Sequence, residues 1–302
     1  MMVYNECGGY MKILCPAKIN LFLNVLGKED KMHTLFLINQ TVDLFDEIEL
    51  SVTDDGEIKI VSDDDIPLDE TNSIYKAALL FKKVYNIEDG FIFNVKKRIP
   101  MMSGLGGEST DAAGTLHLLN EYYNLNIDKN DLADLGLNIG SDVPFFVHSG
   151  FKIVKSTGGV IEEVPFDNPF NHYIIIKPEF GLSTKDMYHK IDSEPFEIID
   201  SSRMPYNDFM KVVPDSILDI KNHLDNMEIK NHTLSGSGSA YYIPLKRVDR
   251  HLLKEVKEKY NDCFVIMLSN TEGYIIEGNN VRRIYDNDNC KRYVKMPRRD
   301  KK

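Results

Sequence analysis

Three stretches of this chain carry residue types that suit phosphate and proton chemistry. The first is KRIPMMSGLGGESTDAAGTLHLLN at 97–120, with Pro100, glycines at 104, 106 and 107, and hydroxyls at Ser109 and Thr110. The β-type residues Phe91–Val95 precede it, and Ala112, Ala113, Leu116, Leu118 and Leu119 follow at helical spacing. The order is strand, glycine loop, helix. Glycines let the backbone come close to a ligand, and the first helical turn offers unpaired N–H groups at the positive end of its dipole. That is an anion site, and phosphate is its commonest occupant. No Gly-Lys-Ser/Thr follows the glycines, so this is not a Walker loop, and the third glycine of the dinucleotide fingerprint is absent. The second stretch, NIGSDVPFFVHSG at 138–150, sets Asp142 in a turn stiffened by Pro144 and beside apolar Phe145, Phe146 and Val147. A carboxylate so placed is a candidate general base; as a lone Asp it reads more simply as a turn cap. The third is Lys18 and Asn20, which share one face of a strand. Taken alone, Lys18 reads first as a solvated edge lysine.

The elements that must position these residues follow from periodicity. Residues 12–26 read as a strand, with Ile19, Leu21 and Leu23 alternating with Asn20, Phe22 and Asn24. Residues 35–50 give further strand-like segments, with Asp43 and Asp46 near a turn, and 51–71 read as an acidic surface loop. A helix is predicted over 72–86, capped by Asn72 or Ser73, with Ile74, Ala77, Ala78, Phe81 and Val84 on its apolar face. A short helix covers 127–137, a strand and turn 151–165, and a boundary falls at 165–170. Beyond it come a strand at 172–178, a helix at 181–192 capped by Ser183 or Thr184, a largely helical 207–230, and a small-residue turn into a strand at 233–244. Strands at 264–268 and 274–277 follow, and 281–302 reads as a basic, loose tail. Residues 1–10 have no pattern, so Met11 is a candidate start.

At 302 residues, with 42% apolar content, the chain can bury a real core. Its net charge of −11 argues against nucleic acid or an anionic membrane as partner. Lys96, Lys97 and Arg98 could still supply local positive charge beside the glycine loop. Cys7, Cys15, Cys263 and Cys290 have no metal spacing and read as reduced thiols of a cytoplasmic protein. No apolar run reaches membrane-spanning length, and no signal peptide is evident.

Six pieces taken together carry a resemblance: PAKINLFLNVLG (16–27), QTVDLFDEIEL (40–50), NSIYKAA (72–78), the 97–120 stretch, IGSDVPFFV (139–147) and LSGSGSA (234–240). In this order the chain resembles the GHMP family of small-molecule kinases, over nearly all of residues 11–280. Within the family it is most similar to the branch acting on a cytidine-linked methylerythritol polyol of non-mevalonate isoprenoid synthesis. The resemblance implies an α+β fold of two domains, 11–165 and 170–280, with the active site in the cleft between them. It implies ATP with Mg²⁺, a small-molecule substrate, and a monomer or homodimer. Asp142 and Lys18 match the family's catalytic pair. Asn72 would lie near adenine, and Pro100, Gly104, Leu105, Gly106, Gly107, Ser109 and Thr110 near the phosphates. Asn20 would lie beside the substrate hydroxyl. His33 would read the cytosine edge, Tyr188 would stack on cytosine, and Gly236, Ser237 and Gly238 would close the cleft.

Two positions depart from the family pattern. Glu108 stands where the loop usually has glycine, which implies repulsion of about 3 kcal/mol per unit charge at about 5 Å and an effective dielectric near 20, and backbone strain besides. Met32 stands where a tyrosine usually precedes His33, which removes an aromatic surface. Two other readings remain: a GHMP kinase for another alcohol such as homoserine or mevalonate, opposed by His33 and Tyr188, and a relic that binds nucleotide without turnover, favoured by Glu108 and Met32.

Overall fold

The computed structural model describes residues 11–30, 32–278, 281–284 and 292–295, with only the backbone of the last two segments. Residues 1–10, with the Met1 or Met11 question, and Cys7 and Cys290 lie outside it.

The elements in order are β1 (Met11–Glu29), β2 (Met32–Thr53), β3 (Ile58–Val61), α1 (Ser73–Tyr85), β4 (Gly90–Lys96), α2 (Gly107–Tyr122), α3 (Lys129–Leu137) and α4 (Val143–His148). Then come β5 (Phe151–Ser156), β6 (Val160–Glu163), β7 (His172–Lys177), α5 (Thr184–Ile191), β8 (Tyr206–Asn207) and α6 (Asp215–Asn226). The chain continues through β9 (Thr233–Leu234), β10 (Tyr241–Leu245), α7 (Arg250–Lys259), β11 (Phe264–Ser269), β12 (Ile275–Gly278), β13 (Val281–Ile284) and β14 (Arg292–Lys295). They make an α+β architecture of two sheets. A ten-stranded sheet runs β14-β13-β12-β1-β2-β4-β3, with β5 and β6 beyond β2 and β8 beside β1; a four-stranded sheet runs β11-β7-β10-β9. β6 ends and β7 opens on either side of the 165–170 boundary, yet β8 and β12 return to the first sheet.

β1 is the spine. It pairs with β2, β12 and β8 and is covered on both faces: Ile13, Cys15, Leu23 and Val25 join one cluster and Ala17, Ile19 and Leu21 a second, while Phe22 enters a third. Lys18, only 3% exposed, is therefore no edge lysine. Asp43 and Asp46 are not in a turn either. β2 is one continuous strand, and Ala17 faces Val42 while Pro16 faces Phe45, so Asp43 and Leu44 bulge out of register. That bulge imitated a turn in the sequence pattern.

Three more expectations are corrected. The 51–71 loop contains β3, paired parallel with β4. The largely helical 207–230 stretch is split into a 3-10 turn at Asp208–Lys211 and α6 at Asp215–Asn226, and its first residue, Asn207, belongs to a strand on β1. In the 281–302 stretch, β13 and β14 extend the sheet from β12, whose open edge supplies backbone partners. The helix α7 had no sequence expectation. Among the described residues no helix is long and apolar enough to cross a membrane, and Cys15 and Cys263 are free thiols.

Candidate active site

The glycine loop lies between β4 and α2, as its sequence requires. Gly106 caps α2 at φ 80° and supplies no side-chain cap, so the first-turn N–H groups are left for a ligand. A Cβ on Gly106 would lie 2.5 Å from the Phe146 ring and 3.2 Å from Lys18 Cγ. Glycine here is what lets β1, α2 and α4 meet. Lys18 N donates to the Leu105 carbonyl at 2.9 Å, tying β1 to the loop, while the Leu105 side chain is fully buried.

The second glycine turn packs on the first through backbone. Ala240 N donates to Ser103 O at 2.9 Å, and Ser235 Oγ donates to Gly104 O at 3.1 Å. Gly104 has φ 76°, and a Cβ there would stand 2.0 Å from Ser235 O. Gly236 and Gly238 also have positive φ, and Asn207 Nδ2 holds the turn by donating to Leu234 O and Gly236 O, both at 2.8 Å. Ser237 Oγ meets Thr184 Oγ1 at 2.9 Å, which links this turn to α5.

Against this corner stand Lys18, Asn20 and Asp142. Lys18 Nζ donates to Asn20 Oδ1 and lies 4.0 Å from Asp142 Oδ2. Burial lowers the Lys18 pKa, and the Asp142 charge opposes that fall. Asp142 sits just before α4 with its side chain 37% exposed, so a ligand can reach the carboxylate that the buried lysine faces.

His33 and Tyr188 meet as well. Their rings stack with centroids 4.5 Å apart and planes at 27°, and His33 Nε2 lies 2.6 Å from Asp192 Oδ1. Lys28 donates to the other Asp192 oxygen, and these two hydrogen bonds hold the Asp192 carboxyl below its usual range. Burial raises the Tyr188 hydroxyl pKa, and the nearby Asp142 charge raises it further. Met32 is exposed.

Other expected site residues are more engaged than the sequence suggests. Asn72 caps α1: its Oδ1 accepts from Ile74 N at 2.9 Å and its Nδ2 donates to Pro67 O at 2.7 Å. Ser73 Oγ donates to Glu108 O at 2.7 Å, which brings the starts of α1 and α2 together. Thr110 Oγ1 turns to Tyr274 OH at 3.1 Å in the interior, whereas Ser109 is only half-buried. Pro100 accepts from Ser103 Oγ at 2.6 Å through its carbonyl, and Gly107 lies over the Lys97–Asp46 pair.

The charge expected of Lys97 and Arg98 is spent elsewhere. Lys97 Nζ bridges Asp46 and Asp111 in the interior, and Arg98 pairs with Glu47. Burial works against the Lys97 charge, but the two carboxylates outweigh it and raise its pKa. Burial lifts Asp111 to about 7, and Asp46 adds to the rise while Lys97 restrains it. Asp46 Oδ1 also accepts from Arg98 N at 2.6 Å and Ile99 N at 2.8 Å, so Asp46 anchors residues 97–99 below the loop. Glu108 carries no strain: it is exposed in the first turn of α2, outside the positive-φ residues, and α2 begins one residue before it. Sequence reasoning missed Asn39, Asp192, Asn207 and Asp111. Only Asp192 left a signal, four residues after Tyr188 and so on the same helical face.

Comparison with known proteins shows the family. Residues 72–150 match the GHMP kinases N terminal domain. A 4-diphosphocytidyl-2-C-methyl-D-erythritol kinase of Clostridium perfringens is 38% identical over 232 residues, which span 74% of this chain and 78% of that protein. The protein of the same name from Clostridium tetani is 34% identical over 280 residues, 84% of this chain and 99% of its own length. A crystal structure of 4-(cytidine 5'-diphospho)-2C-methyl-D-erythritol kinase superposes with TM-score 0.69 at 24% identity, covering 86% of this chain and all of the other, and so shares the fold. With relatives 34–38% identical that it covers over 78–99% of their length, the chain belongs to the 4-diphosphocytidyl-2-C-methyl-D-erythritol kinases of the GHMP superfamily.

Proposed function

We propose that this protein transfers the γ-phosphoryl group of ATP to the 2-hydroxyl of 4-diphosphocytidyl-2-C-methyl-D-erythritol, as a cytoplasmic enzyme. The relatives' names support the substrate, and one observation carries the chemistry. A buried ammonium, Lys18, faces a reachable carboxylate, Asp142, at 4.0 Å beside an uncapped helix start.

The first-turn N–H groups of α2 and the hydroxyl of Ser109 hold the ATP phosphates, with Asn72 fixing the start of α1 near the nucleotide. Asn20 and the Gly236–Gly238 turn position the acceptor. Asp142 takes the hydroxyl proton as the oxygen bonds to the γ-phosphorus and the bond to ADP breaks. Lys18⁺ stabilises the negative charge that develops on that oxygen. Among the described residues no three metal-ligating side chains cluster, which fits an ion carried mainly by the nucleotide rather than one caged by protein. Mg²⁺ so bound neutralises phosphate charge, and the exposed Glu108 is one carboxylate within the loop that could share it. His33 and Tyr188 form the platform for the cytosine, and the platform separates this substrate from homoserine or mevalonate, which have no base to stack.

The test is Asp142→Asn with purified protein, ATP-Mg and each of the three alcohols. Wild type should phosphorylate only the cytidine-linked polyol, and the variant should lose about 10²–10⁴-fold in kcat while still binding ATP. A variant that keeps a tenth of the turnover removes Asp142 as the base. Comparable kcat/KM on homoserine would reassign the acceptor.

A further inference from the structure

Asn39 on β2 is the cross-strand partner of Asn20 on β1, and both are almost wholly buried. Asn20 Nδ2 donates to Asn39 Oδ1 at 2.7 Å, and Asn20 Oδ1 accepts from Lys18 Nζ. The direction of this chain is forced. A lysine ammonium has donors only, so Asn20 must turn its oxygen to Lys18 and its NH₂ to Asn39. Asn39 must then offer its oxygen, and its own NH₂ is left over. Asn39 Nδ2 is indeed buried without a hydrogen-bond partner. Its register partner on β5 is Lys152, another side chain with donors only, so no acceptor comes from there.

An apolar side chain here would remove the orphaned Asn39 donor but strip the buried Asn20 Nδ2 of its acceptor. Buried amides without full partners are rare, and the places where folds keep them are enriched in function. Resting on the function proposed above, we infer that Asn39 is a positioning residue for phosphoryl transfer: it locks the Asn20 amide so that its oxygen, and never its NH₂, faces the Lys18 ammonium. Without Asn39 the Asn20 NH₂ has no acceptor, so the amide loses one of its two anchors and its oxygen can swing off the Lys18 ammonium. The lysine then loses its acceptor and its aim, while Asp142, the charged group facing it across the site, is unchanged.

Two substitutions separate this role from plain packing. Asn39→Leu removes the acceptor, whereas Asn39→Asp keeps it. The readouts are the titration of Lys18, followed by NMR with ε-¹³C-labelled lysine, steady-state kinetics and melting temperature. In Asn39→Leu the Lys18 midpoint should fall by about one pH unit and kcat by about tenfold, with the KM for ATP little changed and the melting temperature lowered by a few degrees for the orphaned Asn20 NH₂. In Asn39→Asp the midpoint should stay or rise and turnover should persist. An unmoved Lys18 midpoint in Asn39→Leu overturns the inference. So does a loss of turnover in both variants that tracks a loss of melting temperature. The NMR titration does not depend on the substrate, so a wild type inactive on the cytidine-linked polyol removes the proposed function and leaves this result to stand by itself.

Discussion

The two ends of the proposed site are built from different material. At the end proposed to hold phosphate, backbone packs on backbone: Ala240 N donates to Ser103 O, and glycines at 104 and 236 let the two turns touch. At the end proposed to hold the base, side chains do the packing. Tyr188 and Asp192, one turn apart on and after α5, grip His33 from β2 by a ring stack and a hydrogen bond. A backbone corner has no slack, since any added atom meets a carbonyl that many other bonds hold in place. A side-chain grip is modular, and one contact can be removed while the others stay. The first end should therefore fail as a unit and the second by degrees.

Gly104→Ala is the strongest test of that difference. Its Cβ would stand 2.0 Å from the Ser235 carbonyl oxygen, at a φ of 76° that an L-residue resists. Overpacking and left-handed strain together suggest a loss of about 2–4 kcal/mol in stability. ATP and substrate affinity should fall together, because both turns must shift. Thermal melting and binding of each ligand measure this. A variant with native melting temperature and native ATP affinity would show that the corner has slack, and the contrast between the two ends would collapse.

Tyr188→Ala should act on one ligand only. Removing a stacking surface weakens a base by about 1–3 kcal/mol, so the KM for the cytidine-linked substrate should rise while ATP affinity holds. Calorimetry with each ligand separates the two. Tyr188 also packs edge-on to Phe209 with centroids 4.9 Å apart, so equal losses for both ligands would mean that the ring supports the fold rather than the base.

The same division explains what the sequence disclosed. The glycine corner was legible because positive φ and close approach can be met by few residue types, so chemistry and spacing coincide in GLGG and SGSG. Asp142 and Lys18 were legible by type, though Lys18 looked solvated until β1 proved to be covered on both faces. Asn39 was not legible, since its role lies in a cross-strand partner nineteen positions away that strand periodicity alone cannot register. The anchoring of Lys97 by Asp46 and Asp111 was hidden for the same reason, and a run of three basic residues beside the glycine loop invited the wrong partner. The bulge at Asp43–Leu44 shows the limit of periodicity itself: a break of register inside one long strand reads like a turn between two.

Glu108→Gly has the smallest expected effect and refines the comparison most, because it adds a side chain's freedom to the backbone end. Glu108 is exposed in the first turn of α2. An acid there gains about 0.3–1 kcal/mol from the helix dipole, and glycine within a helix loses up to about 1 kcal/mol relative to ordinary residues. The variant should therefore melt slightly lower. For ATP the sign reverses, since the dipole that favours the carboxylate is the field the phosphates need. With the carboxylate gone, the KM for ATP should drop a few-fold at low salt. The gain should shrink as ionic strength rises, because an exposed charge is screened over about 10 Å at 0.1 M. Steady-state kinetics at two salt concentrations, with Mg²⁺ held in excess, give both quantities. Weaker ATP binding in the variant would mean that Glu108 works with the metal, so that the loop uses a side chain after all and the line between the two ends must be redrawn through α2. Tighter ATP without the salt dependence would place the gain in backbone freedom and leave the line between the two ends where it stands.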